Sequence, residues 1–228
     1  TINLSDLLTV VANQYFDEID SVIISPVGDL NLHWYWHPQN KLHMLDVPQE
    51  VYGDVMSMTH ALNALSINPK NEIAMDLFVA ANLRRDRKLA GKNDLVHGDL
   101  PYSPAFYATV FGPHVAQMVL DRALALEDTP LALEAITALS ETAGAESLLS
   151  GEKPLMRAMY YPDRRVQYES ALTLASTLPK KPFTGSYRVV PLLASAVRSG
   201  GDLFAIVIGD DAEARREASS ESFAWGHT

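Results

Sequence analysis

The sequence predicts an all-α chain assembled from repeated helical hairpins. Two observations carry that prediction. The stretch 153–178, KPLMRAMYYPDRRVQYESALTLASTL, has the pattern of two short helices joined at a Tyr-Pro-Asp corner. The same pattern recurs, in looser form, just upstream. Within the stretch, Leu155, Ala158 and Met159 fall at i, i+3 and i+4 and share one helix face. Tyr161 precedes a proline and is biased away from helical geometry, whereas Pro162 and Asp163 suit a new helix start. In the second helix Val166, Ser170, Leu174 and Leu178 are spaced by four, with Ala171 and Thr173 beside them. A small apolar stripe of this kind admits another helix at close range.

LDRALALED at 120–128 aligns with LMRAMYYPD at 155–163, so that Leu120 matches Leu155, Arg122 matches Arg157, Ala123 matches Ala158 and Asp128 matches Asp163. LALEAITALS at 131–140 aligns with VQYESALTLA at 166–175 at the same offset. PLLASAV at 191–197 is a third, partial copy of PLMRAMY at 154–160. A fixed period of roughly 35 residues marks stacked supersecondary units, each unable to bury its own apolar face alone.

Over residues 113–198 this pattern resembles the HEAT-repeat family, and the chain looks like the HEAT-repeat proteins of bacteria. That family's second helix typically begins Pro-Asp-x-x-Val-Arg. Pro162, Asp163 and Val166 match, and Gln167 stands where arginine is usual. The resemblance implies an α-solenoid that binds other macromolecules.

Taken in order, residues 3–19 read as a helix with an apolar stripe of Leu4, Leu7, Leu8, Val11, Tyr15 and Ile19, capped by Asn3 or Ser5. Residues 20–47 are expected to be irregular or partly helical, because Pro26 and Gly28 interrupt the β-branched run at 22–24. On a helix His33 and His37 would share a face, which makes them the candidate metal ligands of the chain. Trp34, Tyr35 and Trp36 lie between them, Pro38 follows, and there is no HExxH pattern. The simpler expectation is an aromatic plug at the end of the stack, with no metal and no cofactor. Trp34 and Trp36, if exposed, are candidate partner anchors.

Residues 48–88 read as helix, turn and helix, with Val51, Val55, Met58, Leu62 and Leu65 down one face and the turn at 67–71. The junction ALNALSINPKNEIA at 61–74 resembles half a tetratricopeptide repeat, through Ala64, Leu65 and Pro69. The basic run Arg84-Arg85-Asp86-Arg87-Lys88 is expected to be a solvated helix C-terminus, where cations suit the dipole. Residues 89–112 hold Gly91, Gly98, Pro101, Pro104 and Gly112 and read as a surface loop, with Phe106, Tyr107, Val110 and Phe111 inserted in the core or in a short helix. Helices are expected at 113–127, 129–143, 154–160, 163–178 and 187–198.

The organisation is therefore an N-terminal helical region at 1–112, HEAT-like repeats at 113–201 and a tail at 202–228. The tail holds a β-type run, LFAIVIGDD at 203–211, then a helical pattern. Strand, acidic pair and helix in this order resemble the start of a receiver domain, which would place the scaffold in a signalling protein. Asp210 and Asp211 alone are not expected to form a working site. The lone strand offers an unpaired edge for association with another copy.

Composition narrows the classes of function. A formal net charge of −10 argues against unspecific phosphate binding, so nucleic acid is not the expected partner. The chain has no cysteine, which removes disulfides, thiolate zinc sites and cysteine nucleophiles, and is compatible with the cytoplasm or with export. No apolar run reaches membrane-span length and TINLSDLL is not a signal-peptide pattern. No GxSxG or phosphate-binding glycine motif is present. The expected function is a non-catalytic scaffold for a protein partner, with Arg164, Arg165 and Tyr168 on its surface near the start of a second helix. Two alternatives stand beside it: a HEAT-like enzyme or ligand-binding protein using the His33–His37 segment, and an oligomerising structural module.

Overall fold

The computed structural model describes residues 3–23, 30–37, 39, 41–92, 94–149 and 153–198. The strand expected at 203–211, Asp210, Asp211 and the rest of the tail lie outside the described residues. Those residues form ten helices and one two-stranded sheet. None of the helices is long and apolar enough to cross a membrane.

Helix α1 (Leu4–Phe16) begins at Asn3, whose side chain accepts the Ser5 backbone N–H at 3.1 Å. Its buried face corrects the expected leucine stripe. Ser5, Thr9, Ala12 and Phe16 face inward, while Leu4, Leu7 and Ile19 are exposed. A hydroxyl seam holds that inward face. Ser5 Oγ donates to the Ala64 carbonyl at 3.0 Å, and Asn71 Nδ2 donates at 2.9 Å to both Ser5 Oγ and Thr9 Oγ1. Buried hydroxyls with partners cost little, and their small size lets α1 approach α2 (Gln49–Ile67) closely. Gly53 lies at a close approach: a Cβ there would stand 2.8 Å from the Tyr15 carbonyl oxygen.

The segment expected to be irregular or partly helical is instead an antiparallel hairpin of β1 (Leu30–His37) and β2 (Lys41–Pro48). Helix α3 (Glu72–Leu89) follows α2 after the turn at 68–71, capped by Asn71 at the Ala74 N–H. It is buried almost all round, as the central helix of a bundle must be, and α1, α2, α4, α5 and α6 surround it.

That placement overturns the reading of 84–88 as solvated. Arg84 Nε donates to Asp54 at 2.6 Å, Arg85 pairs with Asp94, and Arg87 pairs with Asp128 at 2.9 Å and Glu134 at 3.1 Å. Lys88 lies 3.1 Å from Glu18 and 3.0 Å from Asp54. The run is a belt of ion pairs tying α3 to its neighbours. Sequence cannot show the carboxylates that meet it, because Asp54 and Asp128 arrive from distant positions.

Helix α4 (Pro104–Val110) packs Tyr107 edge-on against Phe78, with ring centroids 5.2 Å apart. Then come α5 (Gly112–Ala125), α6 (Thr129–Thr142), the short α7 (Ala145–Leu149), α8 (Pro154–Ala158), α9 (Arg164–Ser176) and α10 (Ser186–Arg198). Helix α5 packs on α6 and α8, α6 on α9, and α9 on α10. Asp128 caps α6 at the Leu131 N–H, and Asp163 caps α9 at the N–H groups of Arg165 and Val166. The two aspartates aligned by the sequence repeat thus do the same job. The main core runs from Ala12 to Leu192, and a second cluster of Val47, Val51, Tyr52, Val55 and Leu89 lies under the hairpin.

Candidate partner-binding face

The hairpin presents two chemically different faces. Its register pairs Leu32 with Asp46, Trp34 with Met44 and Trp36 with Leu42. Side chains alternate across a strand, so Leu30, Leu32, Trp34, Trp36, Leu42, Met44, Asp46 and Pro48 share one face. Asn31, His33, Tyr35, His43, Leu45 and Val47 share the other.

The second of these faces seats the hairpin. Val47 is fully buried against α2, and Asn31 Nδ2 donates to Gln49 Oε1. His33 is buried, with Nδ1 3.3 Å from Met56 Sδ and its ring stacked on Tyr35 at 6.1 Å. Burial lowers its pKa. His60, stacked on Tyr15 at 5.4 Å, is lowered by burial and by the charge of His33. His97, on the loop after α3, sits with Nε2 3.1 Å from both the Val55 carbonyl and Thr59 Oγ1. The carbonyl oxygen only accepts, so Nε2 carries the proton. Burial lowers the pKa of His97 as well, partly offset by that bond and by Asp94. The hairpin therefore rests on α2 among neutral imidazoles.

Among the described residues nothing covers the other face. Leu30, Leu32, Trp34, Trp36, Leu42 and Met44 are each between 41% and 69% exposed. A half-solvated antiparallel sheet ordinarily turns polar residues outward. Here six large apolar side chains point to solvent, a patch of the kind that marks a contact surface.

The residues proposed from sequence are distributed differently. Trp34 and Trp36 fall at the heart of the exposed face. His33 and His37 lie on one strand, their backbones ~13 Å apart, and not on the shared helix face on which the metal-ligand reading depended. Among the described residues no group of three His, Asp or Glu is placed to hold a metal. Arg164 and Arg165 are exposed at the start of α9. Tyr168, one turn further on, is half-buried: it packs partly against the core, and its hydroxyl lies 3.3 Å from Ser195 Oγ on α10. Leu30, Leu32, Leu42 and Met44 were missed. The period-two alternation of LNLHWYWH was the signal for them, obscured by Pro26, Gly28 and Pro38.

A second feature is chemical. Glu134 lines a cleft of ≈ 260 Å³ between α3, α4 and α6, together with Asp86, Ser103, Thr137 and Glu141. Burial pushes its carboxyl up to about 7, against the pull of Arg87. Arg87 already holds Glu134 and Asp128, which makes this carboxyl part of the ion-pair belt.

No family model, no curated protein and no solved structure matches the chain.

Proposed function

We propose that this chain is a non-catalytic helical-repeat scaffold, HEAT-like in its stacked hairpins, that binds protein through the outer face of the β1–β2 hairpin. The observation that carries the reading is the exposed apolar face formed by Leu30, Leu32, Trp34 and Trp36 of β1 with Leu42 and Met44 of β2. Trp is the residue type most enriched among energetic anchors, and two of them stand side by side on one strand face. The stacking of α8 on α5 and of α9 on α6 supports the solenoid reading, since equivalent helices of successive units pack on each other in such arrays. The shared aspartate caps, Asp128 and Asp163, support it from the local side.

The experiment is photo-crosslinking with benzoylphenylalanine in place of Leu42, in the full chain, in an extract of the source cells. A discrete protein adduct is expected, and it is expected to disappear when Trp34 and Trp36 are both replaced by serine. Absence of any protein adduct at Leu42, with adducts from Arg164 or Arg165 instead, would move the binding face to α9.

A further inference from the structure

We propose that the occupant of the hairpin's outer face is a second copy of this chain, packed face to face about a two-fold axis. This rests on the docking reading above and names its partner. Three features of the face argue for it.

The first is area. Two tryptophans, three leucines and a methionine at these exposures present on the order of 700 Å² per copy, close to the ~800 Å² each partner contributes to a standard interface. The largest apolar patch on an ordinary monomer is about 300–600 Å². The face is thus the size a stable symmetric dimer requires, and larger than a free monomer tolerates.

The second is charge. The chain carries −10 overall, yet the outward positions of both strands hold one charged residue, Asp46. A basic partner would find a single carboxylate to recognise there. A copy of the same face meets apolar surface with apolar surface at every position but one, where Asp46 of each copy lies against Met44 of the other. Repulsion between the two bodies is screened beyond ~8 Å at physiological salt.

The third is shape. The bulky residues Trp34, Trp36, Met44 and Leu42 occupy the turn end of the hairpin, and Leu30, Leu32 and Pro48 the root. A two-fold axis lying in the interface across the strands reverses one copy over the other. It sets Trp36 of each copy against Leu30 of the other, and Trp34 against Leu32, large against small. Such self-complementarity is what an isologous contact demands. The ~10 Å between facing sheets is the space these side chains fill.

Sedimentation equilibrium of the full chain, from about 1 to 200 μM, tests the proposal. A dimer with micromolar or tighter affinity is expected. Trp36→Glu and Leu30→Lys, each alone, are expected to weaken it at least ~30-fold, the size of an anchor-residue loss. Both sites are exposed, so far-UV circular dichroism is expected to stay unchanged. Mixing the two variants is expected to restore association, because the new charges face each other only in the reversed arrangement. Leu178→Asp, at a still more exposed apolar site away from the hairpin, is expected to leave the dimer intact. A chain that stays monomeric at ~200 μM overturns the proposal, as does a dimer that is lost with Leu178→Asp and kept with Trp36→Glu. In the monomeric case, an adduct from position 42 to a different protein keeps the docking reading and replaces the occupant. No adduct together with binding to phosphatidylcholine vesicles overturns both.

Discussion

Arg84 lies across Phe16: its guanidinium carbon stands 3.9 Å from the ring centroid, and its Nη2 donates to the Phe16 carbonyl oxygen at 2.6 Å. The same guanidinium donates through Nε to Asp54 at 2.6 Å. One side chain of α3 thus closes the C-terminus of α1 and neutralises a fully buried carboxylate of α2. Arg122 approaches the same ring at 5.1 Å and pairs with Asp76 at 2.7 Å. The three N-terminal helices are therefore joined by charge-assisted bonds as well as by apolar contact, and the hairpin packs on one of them, α2.

Asp54→Ala is expected to destabilise the fold by about 3 kcal/mol, because it leaves Arg84 and Lys88 partly buried without their common carboxylate. The exposed Arg157–Asp121 pair supplies the contrast, since Asp121→Ala is expected to cost under ~1 kcal/mol. Urea unfolding followed by circular dichroism measures both. Equal losses would show that the belt is ornamental.

Gly53→Ala is expected to cost about 1–2 kcal/mol. Alanine favours a helix by roughly 1 kcal/mol over glycine, but its Cβ would stand 2.8 Å from the Tyr15 carbonyl oxygen and 3.2 Å from Glu18 Cγ. Backbone cannot yield as a side chain does, so α1 must move off α2. Stabilisation in a thermal melt would mean that α1 sits farther from α2.

Asp163→Ala removes the acceptor for two backbone N–H groups at the start of α9 and is expected to cost about 1 kcal/mol. Asp128→Ala is expected to cost more, because Asp128 also holds Arg87. A chemical-denaturation midpoint for each variant checks the order.

Acidification acts through the imidazoles beneath the hairpin. The pKa values of His33, His60 and His97 are lowered by burial, so the unfolded chain takes up protons first as pH falls below 6.5. Stability present above that pH is lost progressively below it. Glu134 acts in the opposite sense. Its folded carboxyl, raised to about 7, keeps a proton that the unfolded chain releases above 4.5, so its contribution falls as pH rises from 4.5 to about 7. Glu134→Gln is therefore expected to steepen the loss of stability between pH 6.5 and 5. Unfolding curves at several pH values measure it, and an unchanged slope would remove Glu134 from the account.

At protein concentrations below the dissociation constant of the proposed dimer, Trp34→Ser and Trp36→Ser are expected to change unfolding free energy by no more than ~0.5 kcal/mol, since both side chains are exposed in one copy. A large loss in a thermal melt would show that the tryptophans serve the fold.

Much of the local structure was legible in the sequence. Proline and aspartate fix helix starts by backbone geometry and capping, so the corner at Pro162-Asp163 and the helix after it follow from the residues alone. The same holds for the turn expected at 67–71, found at 68–71, and for the helix expected from 129, found at Thr129–Thr142. Trp34 and Trp36 could be named as candidate anchors on condition of exposure, and the fold does leave both exposed rather than plugged into the end of the stack.

What the sequence left open is what depends on neighbours distant in the chain. Alternation at 30–37 fits a strand, but a strand forms only with a partner, and β2 supplies it by pairing Trp34 with Met44. Helix α1 has a leucine stripe and buries the opposite, hydroxyl-bearing one, because Asn71 and the Ala64 carbonyl satisfy Ser5 and Thr9 there. The basic run at 84–88 looks solvated until Asp54, Asp94, Asp128 and Glu134 arrive around it. Local propensity chose the elements; which face of each is buried was decided by the long-range partners that only the folded chain brings together.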